Sequence, residues 1–130
     1  MTYLIDTDCA IDLLFDRAPT VSLRPILSQD GLAISEVTFG EVYDGVIHGR
    51  DAIAAEIAFS EFLTAIDVLP LTRDIWKQFA HIRGALRRRG QLISDFDIVI
   101  GATALEFDLT LVTYNVRHFE RIPGLRIYEP

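Results

Sequence analysis

Residues 3–8 read Tyr3-Leu4-Ile5-Asp6-Thr7-Asp8, an apolar triplet that runs straight into acids. Three β-prone residues without polar alternation are what a strand covered on both faces of a parallel sheet requires. The strand predicted over Tyr3–Ile5 stops at Asp6, and Cys9 to Phe15 then recur at helical spacing, with Asp8 as a candidate cap. The same sequence of events returns downstream. Leu32-Ala33-Ile34 is a second short strand, followed by Ser35 as an N-cap and an amphipathic run from Glu36 to His48. Ile66 to Leu71 is a third strand closed by Pro70, and Thr72 or Asp74 opens a helix to about Arg89. Leu109 to Thr113 is a fourth strand and Arg126 to Tyr128 a short fifth. Between them lie a helical piece from Val21 to Leu27 around Pro25, a helix over Asp51 to Ala65, and one from Ile98 to Phe107 started by Ser94 or Asp95. That last helix is apolar nearly all round, which predicts burial. Strands alternating with helices imply right-handed βαβ units and a three-layer α/β/α fold around a mostly parallel sheet of four or five short strands.

Composition sets the limits of this reading. The chain has 130 residues, half of them apolar and 24% charged, which suits one packed domain spanning residues 1–130 and excludes a disordered or low-complexity class. No internal repeat or Pro/Gly/Ser-rich linker marks a boundary. A single cysteine, Cys9, leaves no intramolecular disulfide and no Cys-based zinc site, and suits a reducing compartment such as the cytoplasm. The first residues carry acid where a signal peptide carries base, and no apolar run is long enough to span a membrane. The net charge of −7 argues against a uniformly basic nucleic-acid surface, so a polyanion would need a local basic patch or bound cations.

In an open parallel sheet, ligands bind beyond the carboxyl ends of the strands. Acids recur there: Asp6 and Asp8 after the first strand, Glu41 in the helix after the second, and Asp95 and Asp97 at the opening of the buried helix. Thr113 and Asn115 follow the fourth strand. Carboxylates at about 4 Å repel by about 4 kcal/mol at an effective dielectric of about 20, so a convergent cluster is costly without a cation. A hard divalent ion reverses that cost, prefers oxygen ligands, keeps several waters and can activate water against a phosphodiester. Each residue also has a purely structural reading. Asp6 and Asp8 suit a turn and a cap, and Ser94-Asp95-Phe96-Asp97 fits a capping box. Phe39, Val42, Tyr43 and Val46 form the apolar stripe of their helix, which leaves Glu41 nearly opposite, beside Val37. A functional Glu41 therefore requires the stripe to pack on another helix or a second subunit.

Taken together, these stretches resemble the PIN-domain nucleases, and specifically the VapC-type ribonuclease toxins of toxin–antitoxin pairs. The resemblance is carried by Tyr3–Asp8, Ser35–Gly45, Asp95–Ala104 and Leu109–Leu125, in the family's order from end to end. It implies a homodimeric endoribonuclease that uses Mg²⁺, or Mn²⁺, and is silenced by a cognate antitoxin. By the same likeness Asp6, Glu41 and Asp97 are the principal acids and metal ligands, with Asp95 a neighbour. The family often places a further carboxylate near the fourth strand, where this chain has Asn115 and His118; Thr113 or Asn115 would hold water or the scissile phosphate.

Eleven of the twelve basic residues are Arg, and Arg83, Arg87, Arg88 and Arg89 fall within seven positions just before the acidic pair. They read either as a solvated helix end or as a contact for RNA phosphates or an acidic antitoxin segment, with Arg117 and Arg121 adding to it. Trp76, Phe79 and Ile82 read as core or interface, and the apolar helix surface around Phe39, Ile53, Ile57 and Phe62 exceeds what one small sheet needs. Two further readings remain. One is a PIN-like module that binds a partner without catalysis. The other is a haloacid-dehalogenase-type phosphatase with Asp6 as nucleophile, which Ala10 and the placement of the only lysine, Lys77, disfavour.

Overall fold

In the computed structural model, which describes residues 2–130, the first strand, β1 (Tyr3–Ile5), runs directly into helix α1 (Thr7–Leu14). A 3-10 turn (Thr20–Leu23) leads into α2 (Arg24–Asp30), then β2 (Leu32–Ser35), α3 (Glu36–Ile47), α4 (Ala52–Leu63) and β3 (Asp67–Leu69). The second half continues through α5 (Arg73–Arg88), α6 (Asp95–Glu106), β4 (Thr110–Val112), α7 (Val116–Phe119) and β5 (Ile127–Tyr128). The five strands pair in the order β3-β2-β1-β4-β5, and every pairing is parallel.

The register explains how such short strands suffice. Tyr3 pairs with Leu32 and Thr110, and Leu4 with Ala33 and Leu111, so equivalent positions stack across the sheet. Leu4, Ala33 and Leu111 point to one face, where they meet Leu86, Ile98, Ile100 and Phe119 of α5, α6 and α7. Ile5, Ile34 and Val112 point to the other, against Cys9, Ala10, Leu13, Leu27, Val42, Val46 and Phe59 of α1 to α4. Both faces are dry, which is why the strands show no polar alternation. The layered α/β/α fold expected from the sequence is therefore the one found.

Local differences have local causes. α1 begins at Thr7 with Asp6 as its cap, two residues earlier than expected, because the Asp6 side chain accepts the Cys9 N–H at 3.0 Å; Asp8 lies inside the first turn. The third strand shrinks to Asp67–Leu69, since Pro70 cannot extend the ladder. α6 runs from Asp95, one of the two starts the sequence offered, with Ser94 as its cap accepting the Asp97 N–H at 3.2 Å, and ends at Glu106, one residue short of Phe107. The four-residue α7 is too short to carry a readable period in the sequence. Trp76 lies 46% exposed beside Phe79, so it is a surface residue and not core.

Candidate active site

β1 lies between β2 and β4, where the order of connections reverses, and the carboxyl edge of such a switch point opens into a crevice. A cavity of about 160 Å³ sits there, lined by Asp6, Thr7, Asp8, Glu41, Asp97, Ile100, Asn115 and Phe119. Each polar wall residue arrives on a different element: Asp6 ends β1, Thr7 and Asp8 open α1, Glu41 lies on the second turn of α3, Asp97 on the first turn of α6, and Asn115 before α7. Folding thus gathers acids that are up to 91 positions apart in the chain.

Asp6 is the most constrained. It is 6% exposed; Oδ1 accepts the Cys9 N–H and Oδ2 accepts the Thr113 hydroxyl at 2.5 Å. Thr113 is itself fully buried, and its Oγ1 accepts the Asn115 N–H at 2.9 Å. One hydroxyl therefore ties the ends of β1 and β4 together and fixes a carboxylate between them. Burial pushes the Asp6 carboxyl above the usual aspartate range, with the Thr113 and Cys9 hydrogen bonds opposing the shift and the nearby Asp8 charge adding to it. Burial also raises Asp97, opposed by the Ser94 hydroxyl and His118 and reinforced by Asp8. Cys9, buried behind Asp6, is pushed far up by burial and by the Asp6 charge, which makes its thiol inert.

Glu41 reaches the cavity because the α3 stripe is occupied elsewhere. Val42 and Val46 pack with Phe59 of α4 and the sheet, and Phe39 lies against Phe59 with ring centroids 5.4 Å apart. That packing turns Glu41 inward, where its Oε1 accepts the Thr7 hydroxyl at 2.5 Å. Thr7, which sequence reasoning passed over, is therefore a wall residue; its position directly after Asp6 was the only available signal. Asp8, considered chiefly as a cap, also lines the cavity. Asp95 does not line it: its Oδ1 accepts Arg83 Nε at 2.9 Å on an exposed surface. Thr113 lies behind the wall and acts on Asp6 and Asn115 instead of facing the cavity.

The turn after β4 is anchored from its far side. The Tyr114 hydroxyl donates to Asp12 at 2.5 Å and accepts the Thr20 N–H at 3.2 Å, with the Thr20 hydroxyl against the same oxygen. Hydroxyls and backbone thus hold the wall, and among the described residues no lysine, arginine or histidine is part of the cavity lining.

The donor set fits a hard divalent cation in kind, being oxygen only, and the raised Asp6 and Asp97 carboxyls are the groups that such a charge would bring back into ionised form. Among the described residues no three His, Cys, Asp or Glu side chains close tightly enough to hold an ion by themselves. Mg²⁺ does not need such a cage, since it keeps several waters, and carboxylates that do not reach the ion directly can hold it through them.

The basic residues lie apart from the cavity wall. Arg87, Arg88 and Arg89 end α5 exposed, and Arg117 is exposed on α7. Arg89 Nη2 donates to the Arg121 carbonyl at 3.2 Å, and Arg121 Nη1 to the Gln91 carbonyl at 3.3 Å, which stitches the α5 end to the segment after α7. No helix among the described residues is long and apolar enough to cross a membrane.

Comparison with known proteins agrees with this architecture. The sequence model of the PIN domain family matches residues 3–125. The tRNA(fMet)-specific endonuclease VapC of Shigella flexneri is 30% identical over 126 residues, covering 97% of this chain and 96% of that protein. Ribonuclease VapC1 of Haemophilus influenzae strain R2866 is 30% identical over 129 residues, with coverage of 97% and 96%. Among solved structures, VapBC2 from Rickettsia felis bound to a promoter DNA fragment superposes with a TM-score of 0.91 at 22% identity, covering 100% of this chain and 99% of that one. DNA-bound VapBC from Salmonella typhimurium gives a TM-score of 0.90 at 26% identity, covering 99% and 98%. With acids delivered to one crevice by β1, α3 and α6, and with full-length likeness to these proteins, the chain belongs to the PIN-domain family and, within it, to the VapC group.

Proposed function

We propose that this protein is a Mg²⁺-dependent endoribonuclease, Mn²⁺ being an alternative ion, and the toxin of a toxin–antitoxin pair. The observation that carries the reading is the convergence of Asp6, Asp8, Glu41 and Asp97 on one cavity with no basic side chain among its lining. Relatives named as RNA endonucleases supply the substrate class.

In this reading Asp6, Glu41 and Asp97 hold the ion, with Asn115 beside them; when bound, it supplies charge neutralisation at a phosphodiester and activates water. Thr113 and the Cys9 N–H keep the Asp6 carboxylate aimed, so that no side-chain reorganisation is needed at the moment of reaction. Thr7 holds Glu41 in the same way. Ser94 places Asp97 at the amino end of α6, where the helix dipole favours its anionic form. RNA phosphates would reach the site past Arg87, Arg88, Arg89 and Arg117, with Arg83 released from Asp95.

A cognate antitoxin is the protein partner in this reading: solved neighbours of the same fold are VapBC toxin–antitoxin complexes. A homodimer would cover the outer face of α4, where Ile53 is 79% and Ile57 58% exposed. The phosphatase alternative is not retained, because Lys77, the only lysine, lies on α5 outside the cavity lining.

The test is incubation of purified, partner-free protein with total RNA, with and without Mg²⁺, beside Asp6→Asn, followed by mapping of the cut ends. Discrete cuts that need both Mg²⁺ and Asp6 support the proposal. Mg²⁺ binding without any cleavage would instead favour a non-catalytic binding module.

A further inference from the structure

Asn115 stands at the N-cap position of α7, yet its side chain caps nothing. An Asn at that position ordinarily spends its amide oxygen on a backbone N–H of the first turn. Here the amide turns sideways, and Nδ2 lies 2.9 Å from Nδ1 of His118, three residues on. Asn115 lines the carboxylate cavity, and among the described residues nothing donates to its Oδ1. We infer that His118 is a positioning residue that fixes the Asn115 amide with its NH₂ group held at the ring, so that the amide oxygen remains for the cavity.

An amide nitrogen can only donate, so the ring nitrogen that meets it must accept, and the ring proton then resides on Nε2. A freely rotating amide would offer the cavity either end. An NH₂ group facing in would be repelled by a cation and would compete for the carboxylates, whereas the oxygen joins Asp6, Asp8, Glu41 and Asp97 as a hard donor. His118 thereby selects the useful rotamer without touching the ion, as partners behind a metal site commonly do. The inference rests on the metal-dependent reading above and adds to it a role for a residue outside the acid set.

The experiment uses the full-length, metal-free protein and Mn²⁺ alone as probe, with binding followed by electron paramagnetic resonance. His118→Phe keeps the ring and removes the acceptor; its Mn²⁺ affinity should fall about tenfold. His118→Asn, which replaces Nδ1 by an amide oxygen, should restore most of it. In an Asn115→Asp background both terminal atoms are oxygens, so adding His118→Phe should change affinity little. Equal Mn²⁺ affinity of the wild type and His118→Phe would overturn the inference while leaving the metal site in place, and so would an undiminished tenfold loss in the Asn115→Asp background. A wild type that binds no Mn²⁺ would instead remove the metal-dependent reading. The inference is then decided without metal or variants by ¹⁵N NMR of His118 at mildly alkaline pH. An Nε2–H tautomer with a hydrogen-bonded Nδ1 supports it, and an Nδ1–H tautomer rejects it.

Discussion

Thr113 contributes no atom to the cavity wall, yet it decides what the wall can do. Its hydroxyl donates to Asp6 in a buried bond and accepts from the Asn115 N–H in a partly buried one. Thr113→Val keeps the shape and removes both bonds, leaving the buried Asp6 oxygen unmatched at a cost of about 1–3 kcal/mol, with a smaller loss at the partly buried Asn115 N–H. Urea unfolding should show that loss, and RNA cleavage should fall by more than the unfolded fraction explains, because Asp6 is then free to turn. Asp6 itself makes a pH-dependent prediction. Its folded carboxyl lies above the ordinary aspartate value, so over the interval between the two the folded state holds a proton that the unfolded chain has released. In metal-free protein the Asp6 contribution is therefore retained at low pH and lost as pH rises through the folded value. The stability difference between wild type and Asp6→Asn, followed by urea unfolding across that interval, should move against the wild type as pH rises. A difference that stays flat would contradict the burial argument.

At the scale of elements, α6 and the strand ends carry the candidate site, and the residues that cap α1 and α6 lie in it or beside it. Ser94 accepts the Asp97 N–H, and Asp97 lines the cavity. Ser94→Ala should cost about 1 kcal/mol, the usual loss for an N-cap, and should also weaken cleavage. Asp97→Asn leaves the Ser94 cap in place, so it should abolish cleavage with little change in melting temperature. Much of this was legible beforehand. The dry triplet Tyr3-Leu4-Ile5 announced a two-sided strand, and the all-round apolar character of Ile98 to Ala104 announced burial that the structure shows at every one of those positions. What sequence could not supply was direction. The period of α3 placed Glu41 opposite an apolar stripe, a position equally suited to solvent. Only the packing of Val42 and Val46 onto Phe59, a meeting of two helices, turns it to the cavity. Asp8 and Asp95 reversed roles for the same reason. Local patterns made both look like cap residues, and tertiary placement sent one to the cavity and the other to Arg83.

For the whole molecule, the proposed RNA substrate requires that a chain of net charge −7 approach a polyanion. The exposed Arg residues at the end of α5 offer a local answer. Replacing Arg87, Arg88 and Arg89 together with Gln should weaken RNA binding and reduce its salt slope by about one for each phosphate left without its arginine. An unchanged slope would place the RNA elsewhere. The exposed isoleucines of α4 bear on assembly. If that face joins two copies, Ile57→Asp should shift sedimentation from dimer to monomer without loss of secondary structure, whereas an unaltered dimer would assign the interface to another surface. All of these expectations depend on the acids having been gathered for a cation. Crystals of the partner-free protein soaked in Mn²⁺ and recorded at the manganese absorption edge test this most directly. The account predicts an anomalous peak within coordination distance of the Asp6 and Asp97 carboxylates that vanishes in Asp97→Asn; a map without density in that crevice would contradict it.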